Sequence, residues 1–155
     1  MENTKKLLQS DKEDLPLGVF LSIIHRTHFV YLKEKIKSLD LTAGQFPFLM
    51  QISHKEGVSQ DDLSHHFHID KGTVARAIKK LEDHDLIHRQ VDPENRRRYL
   101  LFLSENGKRL LPEICNIDEQ WEENILSGLS SQEKEFLKGT LRKLAIKSIE
   151  ITRGK

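Results

Sequence analysis

The apolar residues of this chain recur mostly at helical spacing. Leu17, Phe20, Leu21, Ile24, Tyr31, Leu32 and Ile36 fall three, four and seven apart, which predicts one apolar face of a long helix from about Pro16 to Lys37. Pro16 suits a first helical position, where its missing N–H costs little. A second helix is expected after Thr42, a competent N-cap, with Phe46, Phe48, Leu49 and Ile52 inward and Gly57 just past its end. Pro47 falls in its first two turns and is expected to cost a hydrogen bond or bend the axis.

The centre of the chain changes rhythm. Ser59 followed by Gln60, Asp61 and Asp62 approximates a capping box and opens a short helix with Leu63 and Phe67 inward. Asp70 is a good N-cap for the next helix, and Ile69 and Val74 have the spacing of a hydrophobic staple. That helix carries Val74, Ala77, Ile78 and Leu81 on one face and ends near Asp85. Two short helices with a tight break form a helix-turn-helix. Ile87, Arg89 and Val91 then alternate with His88 and Gln90, which predicts a strand. Asp92-Pro93-Glu94-Asn95 is a turn cluster, Arg96, Arg97 and Arg98 follow, and Tyr99–Leu103 reads as a second strand. A hairpin with a basic tip directly after a helix-turn-helix is a wing. Ser104 caps a long helix with Leu110, Leu111, Ile114, Trp121 and Ile125 along its stripe and Pro112 as an expected kink. Ser130 with Glu133 is a capping box for the last helix, whose stripe is Phe136, Leu137, Leu141, Leu144, Ala145 and Ile149.

The expected fold is mainly α: an α+β winged helix-turn-helix lobe flanked by helices from both ends of a single chain, residues 1–155. The segments are an N-terminal helix at 13–40, the winged helix-turn-helix lobe at 41–104 and C-terminal helices at 105–152. The end stripes are too long for a small winged-helix core to cover.

Composition narrows the function classes. No apolar run approaches a membrane span, so no membrane partner is expected. The polar start, Met1 to Lys12, lacks the apolar core of a secretion signal. One cysteine, Cys115, excludes an intrachain disulfide and a Cys-rich zinc finger. A cytoplasmic protein is the resulting expectation. Net charge is +1, so any affinity for nucleic acid must come from a local patch. Aromatic residues are only 6% of the chain, which disfavours a single-strand-binding barrel that stacks bases on its strands.

Such a patch is present. With Val74 at zero on a wheel of about 100° per residue, Ile78 and Leu81 lie within about 40° and form the core face. Gly72, Thr73, Arg76, Lys79 and Lys80 fall on the far side. Thr73 and Arg76 are candidates for base contacts in the major groove, since Arg can pair bidentately with guanine and Thr can meet thymine or a polar edge. Gly72 permits close approach. Lys71, Lys79 and Lys80 are candidate phosphate anchors, which position without specifying. A cationic helix face alone is ordinary solvated surface. The wing changes that reading: from Lys71 to Arg98 eight Lys and Arg face five acids, three of which (Glu82, Asp83, Asp85) sit at the helix's far end. Three adjacent arginines on a hairpin serve no core, and arginine is favoured in a narrow minor groove.

The stretch LTAGQFPFLMQI, followed by SQDDLSHHFHIDKGTVARAIKKLEDHDLIHRQVDPENRRRYLLFLSENGKRLLPEI, resembles the MarR family of winged-helix transcription regulators. Asp92, Arg96, Arg97 and Gly107 match the wing signature Asp-x-x-Asp-Arg-Arg, strand, Leu-Thr-x-x-Gly. Asn95 stands where the family has Asp and Ser104 where it has Thr. Ser caps as well as Thr. Asn95 removes a charge able to brace a wing arginine, leaving the internal bridge to Asp92 alone. The match runs from Leu41 to Ile114, and the flanks agree by pattern. The resemblance implies a homodimer built from the first and last two helices. It also implies a pseudo-palindromic double-stranded DNA site, repression as the commoner mode, and a small aromatic or anionic effector between base and lobe near His25, His28 and Tyr31.

Other chemistry is weaker. His25 and His28, with His65, His66 and His68, invite a metal-responsive reading, but no His-Glu-x-x-His run or thiol pair supports one, and neither a metal nor any cofactor is expected. Cys115 invites a redox-responsive reading, but lies beside Ile114 within a helical stripe and reads as a small packed residue. No glycine-rich phosphate loop, nucleophile elbow or paired-carboxylate motif suggests an enzyme. A winged helix used as a protein-interaction module would want a neutral or acidic recognition face, the reverse of this one.

Overall fold

The computed structural model describes residues 15–39 and 41–153. The polar start and the boundary expected at residue 13 lie outside them. The elements in order are α1 (Leu17–Lys35), a 3-10 turn (Lys37–Leu39), α2 (Phe46–His54), β1 (Val58–Ser59), α3 (Gln60–Phe67), α4 (Lys71–Asp83), β2 (Ile87–Val91), β3 (Tyr99–Leu103), α5 (Glu105–Ile125) and α6 (Ser131–Arg153). The described chain forms two compact units, one up to Ile117 and one from Asp118 onward.

The first unit is the expected winged helix-turn-helix with α1 packed on it. Its core joins Leu32 and Ile36 of the α1 end to Phe48, Leu49 and Ile52 of α2, Leu63 of α3, and Val74, Ile78 and Leu81 of α4. Ile87, Leu101, Leu103 and Ile114 close the other side. Period-3.6 stripes and alternating strand residues thus meet in one cluster, though Val91 at the outer end of β2 is exposed. The sheet has the order β1-β3-β2, all antiparallel, with Ile87 opposite Leu103 and Val91 opposite Tyr99. β1 is only two residues long, too short for periodicity to reveal, and pairs Val58 with Leu101 and Ser59 with Leu100.

Several local expectations take a different form. Pro16 is the N-cap of α1, one residue before the first turn. Thr42 starts the α2 turn, but Gln45 is the assigned N-cap; its side-chain carbonyl accepts from the Thr42 N–H at 2.7 Å and hydroxyl at 2.8 Å. Pro47 therefore sits in the first turn, where amides have no intrahelical acceptor, and the hydrogen bond expected to be lost is not lost. α4 ends at Asp83 rather than Asp85, because Asp85 takes a left-handed φ of 53° that turns the chain into β2. Ser104 then ties that turn to α5. Its hydroxyl donates to the Asp85 carbonyl and accepts from the Gly107 N–H at 2.9 Å. Any Cβ on Gly107 would collide with the Leu86 carbonyl, which gives the glycine of the wing signature its physical reason. Pro112 lies inside α5, which continues through it.

The N-terminal part of the α1 stripe is uncovered among the described residues: Leu17, Phe20, Leu21 and Ile24 are all exposed. In the second unit, Ser130 and Glu133 form the expected capping box of α6. Phe136 on α6 is 76% exposed, and Leu141, Leu144 and Ile149 are also exposed. No helix of the described residues is long and apolar enough to cross a membrane.

Candidate nucleic-acid interface

The exposed amino end of α4 is held by a chain of side-chain hydrogen bonds. Asp70 caps the helix, accepting the Thr73 N–H at 2.9 Å. The Thr73 hydroxyl donates to the other Asp70 oxygen at 2.7 Å and accepts from Arg76 Nη2 at 2.8 Å. The two candidate base readers are thus joined to each other and to the cap. The Thr73 hydroxyl and amide, reinforced by the Arg76 charge, hold the Asp70 carboxyl below its usual pKa. Gly72 lies beneath this chain: a Cβ there would come within 3.2 Å of Asp70 Oδ1 and 3.5 Å of Arg76 Nη1. The glycine makes room for the arginine as well as for a close groove approach.

The lysines divide. Lys71 pairs with Asp61 at 2.8 Å and Lys79 with Asp83 at 3.0 Å, all four exposed. Lys80 has no acidic partner among the described residues. Such exposed pairs are weak and exchange readily for a phosphate.

The wing tip is a set of tight turns around Asp92, which is 7% exposed. Asp92 Oδ1 accepts the Glu94 N–H at 2.9 Å, and its carbonyl accepts the Asn95 N–H at 3.1 Å. The Asn95 carbonyl accepts the Arg98 N–H at 2.8 Å, and the Asn95 side chain accepts the Arg97 N–H at 3.1 Å. Asn95 therefore shapes the turn through neutral hydrogen bonds. The Arg96 and Arg97 side chains are exposed, with no acidic partner among the described residues. Arg98 differs: Nη2 meets Asp62 Oδ2 at 2.7 Å and Nε lies 3.8 Å from Asp92 Oδ2. Bracing is thus shared by a second acid, which sequence reading missed. Asp62 was visible only as a capping-box residue, and its nearness to the wing depends on the short β1–β3 pairing. Arg89, behind the wing, lies 3.0 Å from Glu82.

A cavity of about 400 Å³ opens between α1, α2 and the start of α4. His25, His28, Phe46, Phe48, Ile69 and Thr73 are among its walls. The His28 and Phe46 rings meet edge to face, centroids 6.3 Å apart. Tyr31 is not part of the lining; it packs on the core with Lys35 Nζ 5.7 Å from its ring centroid. His68 takes a left-handed φ of 52° as the C-cap of α3, and His65 and His66 are exposed on that helix. Cys115 is partly buried in α5.

A helix-turn-helix with an arginine-tipped wing defines a winged-helix regulator. The chain belongs to the MarR family, whose sequence profile matches residues 41–99. It is 38% identical over 116 residues to the HTH-type transcriptional regulator YybA of Bacillus subtilis (strain 168), covering 75% of this chain and 77% of that one. A MarR transcriptional regulator from Methanosarcina mazei Go1 superposes with a TM-score of 0.84 at 36% identity, covering 87% of this chain and 97% of that one. A MarR family regulator from Listeria monocytogenes, solved in complex with a 26mer DNA, gives 0.83 at 29% identity, covering 88% of this chain and 91% of that one. The chain is accordingly a transcriptional regulator and not an enzyme.

Proposed function

We propose that the chain is a ligand-responsive repressor that binds pseudo-palindromic double-stranded DNA as a homodimer. The observation that carries this is the presence, on one lobe, of the Thr73–Arg76 end of α4 and of Arg96 and Arg97 on the wing, both exposed and without an acidic partner among the described residues. Thr73 and Arg76 read base edges, with Gly72 allowing approach. Lys71, Lys79 and Lys80 anchor phosphates, and Arg96 and Arg97 enter the adjacent minor groove. Supporting the dimer are the exposed apolar residues on α1 and on α6, which a second copy would bury. Two-fold symmetry would set the recognition helices roughly 34–36 Å apart.

The effector site of this reading is the cavity at His25 and His28. Its volume falls in the range of small-molecule pockets, roughly 300–1,000 Å³. Mostly apolar walls with two imidazoles and a hydroxyl suit a small aromatic anion. The cavity also touches Thr73, the joint of the Asp70–Thr73–Arg76 chain, so an occupant would act on the readout end of α4 directly. A ligand releases DNA only by binding the non-competent state better. A tenfold loss of DNA affinity needs about 1.4 kcal/mol of coupling. The test combines light scattering for the dimer with selection of a duplex from a randomised library. A monomer, or no selected duplex, would contradict the proposal.

A further inference from the structure

We propose that Arg98 is a positioning residue: it ties the base of the wing to the first turn of α3 and so fixes Arg96 and Arg97 relative to α4. This rests on the DNA-binding reading and revises the place of Arg98 within it. From the sequence, Arg96 and Arg97 are the wing's DNA contacts and Arg98 supports them there. The structure sets Arg98 apart.

Asp62 Oδ2 accepts three hydrogen bonds: the Ser59 N–H at 2.9 Å, the Ser59 hydroxyl at 2.7 Å and Arg98 Nη2 at 2.7 Å. The same Ser59 caps α3 and pairs with Leu100 of β3. Arg98 thus reaches across 36 residues of chain to the point where the helix-turn-helix and the sheet already meet. On its other side, Nε faces Asp92, and its backbone carbonyl accepts the Asp92 N–H at 3.0 Å. Its guanidinium is flanked by two carboxylates, whereas the Arg96 and Arg97 side chains face solvent. Held between two carboxylates, one of them the nearly buried Asp92, Arg98 gives up less to a phosphate than Lys71 or Lys79, each paired with one exposed acid, and releases few counterions on binding. Burial alone would raise the Asp62 pKa; the two Ser59 donors and the Arg98 charge outweigh it and hold the carboxyl below its usual value, so the tie is ionic at neutral pH.

The hairpin has a further reason to need such a tie. Seven residues separate the last pair of the ladder, Val91 with Tyr99, and the other hydrogen bonds of that tip given for the described residues, including those to the Asp92 and Asn95 side chains, are local to the turn; the Arg98–Asp62 bridge leaves the hairpin. A wing free to tilt would pay orientational entropy on docking its arginines.

Three full-length variants, Arg98→Ala, Asp62→Asn and Asp62→Glu, test the assignment with a duplex selected by the wild-type protein from a randomised library. A positioning role predicts that Arg98→Ala and Asp62→Asn each weaken binding about two- to fivefold, the range of an exposed charge pair. The slope of affinity against salt stays unchanged, and the double variant is no weaker than either single one. Asp62→Glu keeps the charge and reach and restores wild-type affinity. The Asp62→Asn result is the sharper one, since removing a negative charge near DNA should otherwise tighten binding. In DNA-free protein, hydrogen exchange at the Asn95 and Arg98 amides should speed up in Arg98→Ala and Asp62→Asn but not in Asp62→Glu. A salt slope flattened by about one unit in Arg98→Ala, with Asp62→Asn unchanged or tighter, would make Arg98 a phosphate contact and overturn the proposal. Unchanged exchange in Arg98→Ala would overturn it too. A wild-type chain that selects no duplex would overturn the DNA reading instead, and the exchange result, which needs no DNA, tells the two failures apart.

Discussion

Arg76 Nη2 donates to the Thr73 hydroxyl at 2.8 Å, so the two residues assigned to base readout are joined before any DNA arrives. An arginine held in place loses less rotamer freedom on forming a bidentate contact than a free one. Arg76→Ala is expected to cost about 1–3 kcal/mol on a selected duplex and to relax preference at one position. Thr73→Val, which keeps the shape and removes the hydroxyl, should relax the same position by a smaller amount. Anisotropy titrations on single-base variants of the duplex check both. Uniform weakening across all variants, with a flatter salt slope, would make Arg76 a phosphate contact.

Gly107 is expected to tolerate no side chain. A Cβ there meets a backbone carbonyl, that of Leu86, which also accepts the Ser104 N–H at 3.0 Å and cannot easily yield. Overpacking of this kind costs about 1–3 kcal/mol. Gly107→Ala should lower the urea midpoint accordingly, and an unchanged midpoint would show that the junction between wing and α5 is more plastic than its hydrogen bonds suggest.

Acid should weaken the helix caps. Asp62 and Asp70 have pKa values lowered from 3.8, and Glu133 from 4.5. At Asp62 burial opposes the lowering and the Ser59 donors and Arg98 overcome it; at Asp70 and Glu133 the donors are the Thr73 and Ser130 hydroxyls and amides. For a carboxylate whose folded pKa is depressed, the stabilisation is fully present above the unfolded value and is lost as pH falls through the folded one. Stability should therefore hold at neutral pH and decline from those unfolded values downward. Ser59→Ala, at a buried cap, should cost about 1 kcal/mol at neutral pH and progressively less in acid. A cost independent of pH would contradict the capping account.

A compound found by thermal shift should lose affinity in His28→Ala and keep it in Tyr31→Phe, because His28 lines the cavity and Tyr31 does not. Calorimetric titration with and without the selected duplex must give reciprocal coupling: DNA weakens the ligand by the factor by which the ligand weakens DNA. Equal ligand affinity in both titrations would remove that compound as an effector.

Most of the lobe was legible in the sequence because its stripes and caps are local. Val74, Ile78 and Leu81 declare a buried face by spacing alone, and Asp70 declares where the helix begins. What sequence did not reveal depends on contacts between distant segments. The two-residue β1 has no period. The Arg98–Asp62 bridge follows from the β1–β3 register, and the place of Tyr31 depends on which way α1 turns above Phe46. The length of the α1 stripe already says that the lobe's core cannot cover all of it, and Leu17, Phe20, Leu21 and Ile24 are exposed.

The central claim is that this lobe binds duplex DNA through α4 and the wing, and the salt dependence of that binding tests it most directly. Affinity of the full chain for its selected duplex should fall steeply and linearly with salt on logarithmic axes, as counterion release requires. Arg96→Ala and Arg97→Ala should each weaken binding and flatten the slope by about one unit, with the dimer intact. A flat salt dependence, or unchanged affinity and slope in both variants, would contradict the account.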